Sequence, residues 1–118
     1  MIELLVVGAG TAGMPCAIAA AEAGARVVVA ERSDEIGGTL HISYGHMSAA
    51  GTRRARAKGI DDAPDLHFED VMRIGHGHGD PALIRAAVDG AAATIDWLED
   101  IGLPFPAEMP VIDRKSVV

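Results

Sequence analysis

Cysteine is nearly absent from this chain of 118 residues, which contains only Cys16. A single cysteine forms no intrachain disulfide and no cysteine metal cage. Because it lies among alanines in a predicted helix, we expect Cys16 to be a small buried apolar residue. Aromatic residues make up 3% of the chain, so the core has to be built from Ala, Val, Ile and Leu. Such side chains suit close packing of helices on a sheet.

Basic residues and long apolar runs are also scarce. The 10 Lys and Arg residues are outnumbered by 17 Asp and Glu, and the net charge is −7. One short basic cluster (Arg53, Arg54, Arg56 and Lys58) is interpreted as a solvated loop or helix face. Since a nucleic acid requires a basic surface, we expect no nucleic-acid partner. No stretch reaches about 20 apolar residues and no signal peptide is visible, so we expect no membrane partner and a cytoplasmic protein.

Short apolar runs define the beginning of the fold. Ile2–Val7 and Ala25–Ala30 are typical of strands buried on both faces. Between them, Ala12–Ala23 is rich in alanine and predicts a helix that Gly24 caps at its C-terminal end. Strand, helix and strand within about 30 residues make a βαβ unit. The expected fold class is therefore α/β: a Rossmann-like βαβ unit with a parallel sheet, followed by helices, in an incomplete domain.

The second half of the chain predicts helices and loops. Residues 39–59 mix small and polar residues and are interpreted as a segment that winds over a ligand, with one short helix. Helical spacing returns near Leu66–Ile74, where we expect His67 to be exposed. A longer helix follows Asp80 and Pro81, which are typical of an N-cap and a first helical position.

Gly8, Gly10 and Gly13 form a GxGxxG turn that follows a predicted strand and opens a predicted helix. Gly8 permits a tight turn, Gly10 lets the backbone approach a pyrophosphate, and Gly13 lets the helix pack closely. Glu31 ends the next strand about 20 residues later, where a carboxylate accepts hydrogen bonds from both ribose hydroxyls and repels a 2′-phosphate. The pattern predicts a site for the ADP half of a dinucleotide other than NADP; the alternative for Glu31 is an ordinary charge at a strand end.

The glycine pair Gly37-Gly38, followed by Thr39, favours FAD over NAD. A plain NAD fold would continue here into its second crossover helix. Two adjacent glycines and a hydroxyl residue instead suggest a backbone that packs against a bulky ligand. The alternative is a simple loop between a helix and a strand.

The segments GAGTAG, GARVVVAER and EIGGTLHISYGHMSAAGT resemble the flavoprotein subunit of fumarate reductase and succinate dehydrogenase and its soluble relatives. Among those relatives are flavocytochrome-type fumarate reductases, urocanate reductases and ketosteroid dehydrogenases. The resemblance extends from Ile2 to about Pro106. A later stretch, HGHGDPALIRAAVDGAAATIDWLEDIG, resembles the family's helix that ends in a DWL-like motif.

The resemblance implies a set of cofactor-binding residues. They are Gly8, Gly10, Ala12 and Gly13 at the diphosphate, Glu31 at the ribose, Arg32 beside the adenosine, Gly38, Thr39 and Leu40 along the diphosphate, and Tyr44 and Gly45 beside the flavin ring. His46 departs from the family, which often has a second glycine there. The position that carries covalent flavin in the membrane-bound relatives is Thr39 here, so we expect non-covalent FAD.

We expect no metal site. His76, His78 and Asp80 lie within five residues of one another, but three such ligands seldom make a site without a fourth from elsewhere, and Asp80 is already explained as an N-cap.

The implied activity is that of an FAD-dependent oxidoreductase acting on a small-molecule substrate. A hydride would pass between the flavin and a carbon–carbon bond next to a carboxylate or ketone. Because the family's substrate-binding and catalytic residues lie in regions beyond this chain, we assign none of them here and expect the fragment alone to be inactive. Two alternatives stay open: a non-catalytic nucleotide-binding module, and another two-dinucleotide-binding flavoprotein such as a tRNA-modifying enzyme.

The last six residues of the chain carry a separate signal. Residues 113–118 are what the codons GAT CGG AAG AGC GTC GTG encode, and that string matches the start of a short-read sequencing adapter. We therefore assign residues 1–112 to the N-terminal part of an FAD-binding domain and expect residues 113–118 to be a non-native tail. The alternative is a genuine polar C-terminus.

Overall fold

A computed structural model describes residues 1–43 and 45–105. The chain divides into two compact units, Met1–His46 and Met47–Val118. The first contains β1 (Leu4–Val7), α1 (Gly13–Glu22), β2 (Val27–Ala30) and a short 3-10 helix (Gly38–Ile42); the second contains α2 (Arg53–Ala57), α3 (Pro64–Ile74) and α4 (Pro81–Asp100). The predicted α/β order is confirmed. The predictions for Tyr44 and for the tail lie outside the described residues.

The two strands form a parallel pair, as the βαβ unit predicts. Leu4 lies opposite Val27 and Val7 lies opposite Ala30. Each strand begins two residues later than the apolar run predicted. The residues before the strands are nevertheless joined, since the N–H of Glu3 donates to the carbonyl oxygen of Arg26 at 3.0 Å.

The prediction that both strands are buried on both faces is wrong for the described chain. Val6 is 9% exposed, whereas Leu5 is 58% and Val7 81% exposed. Side chains alternate between the faces of a strand, and α1 packs on one face of this sheet. Because the sheet has only two strands in the described residues, its other face carries exposed apolar side chains.

Cys16 is exposed, which corrects the expectation of a buried residue. It lies in α1, a helix with no fully buried residue. A single helix on a two-stranded sheet is covered along one side only. Because α1 is rich in alanine on all sides, its sequence does not show which side faces the sheet, and Cys16 could not be placed from it. The end of α1 does follow the prediction, because Gly24 has a φ of +90° and its N–H donates to Ala21 at 2.9 Å.

In the second unit, the basic cluster joins two helices. Thr52 caps α2 by accepting the N–H of Ala55 at 3.1 Å. Arg53 then reaches the carboxylate of Asp100 at 2.7 Å, and Arg54 reaches that of Glu99 at 3.0 Å. The interpretation as a merely solvated face is therefore wrong for these two arginines, since the acidic residues at the end of α4 lie beside them.

His67 is half-buried, not exposed as predicted. It borders a cavity of about 230 Å³ whose other lining residues include Val71, Ile84 and Val88. Its buried Nδ1 has no hydrogen-bond partner among the described residues. The cavity lies between α3 and α4. His67 was expected to be exposed because the spacing within α3 does not show that α4 packs beside it. The start of α4 matches its prediction, because the Asp80 carboxylate accepts the N–H of Ala82 at 2.8 Å.

Gly13 sets the distance between α1 and the loop before it. An ideal Cβ at Gly13 would lie 1.8 Å from the carbonyl oxygen of Gly8 and 3.3 Å from Cγ1 of Val6. No side chain fits there, so the start of α1 lies directly on the backbone of the Gly-rich turn. Gly10 differs, because its Cβ would meet nothing within 4 Å.

We expect Gly13→Ala to lower the free energy of unfolding by about 3 kcal/mol, since the new methyl group must displace backbone. Gly10→Ala is the matched control and should change it by less than about 1 kcal/mol. Urea unfolding followed by circular dichroism measures both values. Equal stability of the two variants would contradict the close packing at Gly13.

Candidate functional site

Ala9 joins three segments of the first unit. It is 2% exposed, its N–H donates to Oε2 of Glu31 at 2.8 Å, and its carbonyl oxygen accepts the N–H of Gly37 at 2.8 Å. The Gly-rich turn, the end of β2 and the glycine pair are thereby linked at one residue. We call Ala9, Glu31 and Gly37 the Ala9 junction.

The Glu31 carboxylate accepts hydrogen bonds on both oxygens. Besides the bond from Ala9 to Oε2, Oε1 accepts from the N–H of Arg32 at 2.8 Å. It also accepts from the N–H and the hydroxyl of Ser33 at 2.9 and 2.8 Å. These donors, the Ala9 N–H above all and then Ser33, lower the pKa of Glu31 from 4.5 to about 2. The side chain is therefore an anion at neutral pH, and it repels a 2′-phosphate.

The glycine pair lies against the first turn, to which the N–H of Gly37 is bonded. Gly37 is buried with a φ of +114°, and a Cβ there would lie 3.0 Å from Nε2 of His41. That Nε2 lies 2.7 Å from the carbonyl oxygen of Ile36 and donates to it. A Cβ at Gly38 would lie 3.8 Å from Cα of Gly10. The second glycine turn therefore lies on the first.

These features fit the adenosine diphosphate part of FAD. The Cβ positions of Gly8 and Gly10 face open space, so a ligand has access to the backbone of the turn. At the start of α1 the N–H of Met14 donates to the carbonyl oxygen of Gly10 at 3.1 Å and Pro15 has no N–H. The positive end of the helix dipole, more than a row of free donors, therefore favours a diphosphate there. Glu31 at the end of β2 supplies the acceptor for a ribose.

The structure brings together part of the set that the sequence predicted. Gly8, Gly10, Gly13, Glu31 and Gly38 lie around the Ala9 junction.

The remaining predicted residues lie near this group along the chain. Ala12 is the N-cap of α1, and Thr39 and Leu40 lie in the 3-10 helix that Gly38 begins. Among the described residues, no hydrogen bond or ion pair joins the side chain of Arg32, Thr39 or the exposed Gly45 to the junction. Their role in cofactor binding stays a prediction, and Tyr44 lies outside the described residues.

Sequence reasoning missed two members of this arrangement. Ala9 acts through its backbone, and a small residue between two glycines gives only a weak signal. Ser33 was not singled out, although a hydroxyl residue two positions after an acid is typical of local turns in which side chains bond the backbone.

The part of the chain that the structure describes contains neither a metal-binding cluster nor a membrane-spanning helix. No group of three His, Cys, Asp or Glu side chains there is placed to hold a metal ion. Within residues 1–43 and 45–105, no helix combines the length and the apolar character needed to cross a membrane.

Comparison with known proteins identifies the family. The sequence profile of the FAD binding domain matches residues 3–114, nearly the whole chain. The chain belongs to the FAD binding domain family. This membership confirms FAD as the predicted cofactor, and the relatives and solved structures that follow confirm the resemblance to fumarate reductase flavoproteins.

Relatives and solved structures agree with this assignment. The chain is 39% identical over 101 residues to a fumarate reductase (cytochrome) of Shewanella frigidimarina, covering 86% of this chain and 18% of that protein. It matches the open conformation of a flavocytochrome c3 fumarate reductase with a TM-score of 0.77 at 37% identity, covering 86% and 18% of the two chains. It also matches a 3-ketosteroid-Δ4-(5α)-dehydrogenase of Rhodococcus jostii RHA1 with a TM-score of 0.76 at 35% identity, covering 88% and 22%. The chain thus spans about a fifth of the length of these relatives.

The low pKa of Glu31 has a measurable consequence for stability. Because the pKa is below that of an unfolded glutamate, the ionised carboxylate stabilises the fold above pH 4.5, and this contribution is lost as pH falls through about 2. The wild type should unfold at a higher urea concentration than Glu31→Gln above pH 4.5. We expect this difference in urea midpoint to narrow as the pH falls from 4.5 to about 2. Asp34→Asn is the control because it leaves the hydrogen bonds of Glu31 intact. Its urea midpoint should depend on pH in the same way as that of the wild type. A carboxyl carbon titration of Glu31 by NMR with a midpoint near 4.5 would contradict the assignment.

Proposed function

We propose that this chain is the N-terminal, FAD-binding part of an FAD-dependent oxidoreductase of the fumarate reductase type. The Ala9 junction carries the proposal, since it places the Gly-rich turn, an ionised acid and a second glycine turn around one open stretch of backbone. Bound FAD would exchange a hydride with a carbon–carbon bond next to a carboxylate or ketone of a small-molecule substrate.

Within this function the described residues bind the cofactor and take no part in the hydride transfer itself. The turn at Gly8 and Gly10 and the start of α1 hold the diphosphate, and Glu31 holds the ribose. Arg32 would lie beside the adenosine, and Gly38, Thr39 and Leu40 along the diphosphate, followed by Tyr44 and Gly45 at the flavin ring. These assignments follow from the match of this sequence to the family pattern. The geometry of the Ala9 junction supports two of them, the Gly-rich turn at the diphosphate and Glu31 at the ribose.

Substrate chemistry is inferred from the relatives. Their names describe a reductase of fumarate and a dehydrogenase of a 3-ketosteroid, and both compounds have a carbon–carbon bond next to a carbonyl group. The net charge of −7 supports a function without nucleic acid. The cytoplasmic location stays a prediction from the sequence.

The direct test is to sequence the source DNA across the codons for Ile112 and Asp113 and to express the whole reading frame. We expect a longer protein that purifies with an oxidised flavin spectrum and reduces a carbonyl-activated alkene, such as fumarate, with a reduced viologen dye. Acid precipitation should release the flavin into the supernatant, since position 39 is a threonine. Flavin that stays in the pellet would contradict non-covalent binding.

Other outcomes favour the alternatives. A reading frame that stops at Val118, with a chain that binds nucleotide and shows no turnover, would favour a non-catalytic module. A long protein that binds flavin but acts on tRNA would favour the other class of flavoprotein.

In the longer protein, Glu31→Ala should weaken FAD binding about 10-fold to 100-fold, because the ribose loses its charged acceptor. Asp34→Ala is the matched control: it removes one exposed carboxylate nearby and should leave the dissociation constant within about 2-fold. Titration of the apoprotein with FAD, followed by quenching of flavin fluorescence, measures both. If both substitutions changed the dissociation constant equally, the effect would come from the net charge, and a specific contact between Glu31 and the ribose would be contradicted.

A further inference from the structure

The peptide group between Ile36 and Gly37 is held at both of its polar atoms. Its N–H, which belongs to Gly37, donates to the carbonyl oxygen of Ala9 at 2.8 Å. Its carbonyl oxygen, which belongs to Ile36, lies 2.7 Å from Nε2 of His41. Because a carbonyl oxygen only accepts hydrogen bonds, Nε2 has to carry a hydrogen and donate it. The histidine side chain therefore completes the bonding of the peptide that joins the second glycine turn to the first.

The chain around this peptide does little by itself to fix its orientation. Gly37 has a φ of +114°, and a glycine adopts positive and negative φ values about equally well. Ile36 is 65% exposed, so its side chain provides little anchorage by packing. The backbone therefore permits the peptide to rotate, and a rotation would take the N–H of Gly37 away from the buried Ala9.

The imidazole ring of His41 lies close against Gly37. A Cβ at Gly37 would be 3.0 Å from Nε2 and 3.5 Å from Cδ2 of the ring. His41 belongs to the 3-10 helix Gly38–Ile42, in which the N–H of Leu40 donates to the carbonyl oxygen of Gly37 at 3.0 Å. The helix thus directs the ring back onto the peptide that precedes it.

We propose that His41 is a positioning residue for the cofactor-binding segment. Its Nε2–H keeps the peptide of Ile36 and Gly37 in the orientation that bonds Ala9, and it thereby holds residues 38–40 against the Gly-rich turn. The placement of residues 38–40 along a diphosphate rests on the function proposed above. His41 acts on the ligand through this backbone.

Glu35 offers a different explanation for the position of the ring, since its carboxylate lies 3.8 Å from Nε2 of His41. The exposed fractions of the two side chains are 81% for Glu35 and 55% for His41, and exposed ion pairs contribute little. The bond to the carbonyl oxygen is shorter and acts directly on the peptide. Variants that keep the donor without the charge separate the two explanations.

The first experiment measures amide hydrogen exchange in the 118-residue chain by NMR. His41→Ala should speed exchange of the Gly37 amide about 10-fold, because its peptide loses one of two hydrogen bonds. The Gly8 amide donates to Ala30 at 2.7 Å in the same unit, and its exchange should change by less than about 2-fold. Equal acceleration of both amides would indicate a general loss of stability and would overturn the proposal.

Three further variants separate the donor from the charge. His41→Gln places an amide N–H at about the distance of Nε2 and should return Gly37 exchange to within about 2-fold of the wild type. His41→Asn, whose side chain is one carbon shorter, should behave like His41→Ala. Glu35→Gln removes the ion pair and should leave the exchange unchanged. Acceleration by Glu35→Gln, or equal acceleration by His41→Gln and His41→Asn, would overturn the proposal.

The protonation of the ring is a spectroscopic check that a purely steric role of His41 would not require. In long-range ¹H–¹⁵N spectra of the wild type we expect a hydrogen on Nε2. A ring that carries its hydrogen only on Nδ1 would contradict the bond to Ile36.

ADP titrated into the same isotope-labelled chain tests the consequence for a ligand. His41→Ala should bind ADP about 5-fold more weakly than the wild type, and His41→Gln within about 2-fold of it. Equal affinities of the wild type and His41→Ala would overturn the positioning role and leave nucleotide binding intact. A folded chain that binds no ADP at about 10 mM would overturn the proposed function, while the exchange of Gly37 would still decide whether His41 fixes the peptide.

Discussion

The two hydrogen bonds of the Ala9 backbone are the constraint on which the described site depends. Ala9 is 2% exposed, and a buried peptide group requires a partner for both its N–H and its carbonyl oxygen. Glu31 satisfies the first and Gly37 the second. The acid that the family pattern assigns to the ribose is therefore also part of the local fold. The glycine pair, which the sequence connects with the cofactor, also completes the backbone hydrogen bonding of the first turn.

This double role bears on the electrostatics of the site. Groups that donate hydrogen bonds to a carboxylate favour its charged form and lower its pKa. Here four donors point at the Glu31 oxygens, and such bonds to an ionised group are stronger than neutral ones. They hold the pKa of Glu31 at about 2. The negative charge is thus fixed at the end of β2, while the start of α1 carries the positive end of the helix dipole.

The sequence predicted correctly those features that depend only on residues close together along the chain, such as helix caps and tight turns. The Asp80 cap and the glycine after α1 are formed within a few residues, and the GxGxxG spacing predicted the close contact at Gly13. Burial was predicted less well, because it depends on which segments pack against a surface. Leu5, Val7 and Cys16 are exposed for this reason, and His67 is half-buried beside α4. The Ala9 junction was missed because hydrogen bonds of a backbone leave no mark on the type of side chain.

The first unit depends more on hydrogen bonds than on the burial of apolar side chains, and this bears on how a ligand would affect its stability. Among its described residues only Val6, Ala9 and Gly37 are buried, while one face of the parallel sheet leaves Leu5 and Val7 exposed. Parallel sheets are generally covered on both faces, so apolar burial contributes little here and the hydrogen bonds at Ala9 hold the turn in place. A ligand that binds only this folded arrangement stabilises it in proportion to its affinity. Under the proposed function, nucleotide binding and the folding of the first unit are coupled through Glu31, because the carboxylate proposed to hold the ribose also accepts the N–H of Ala9.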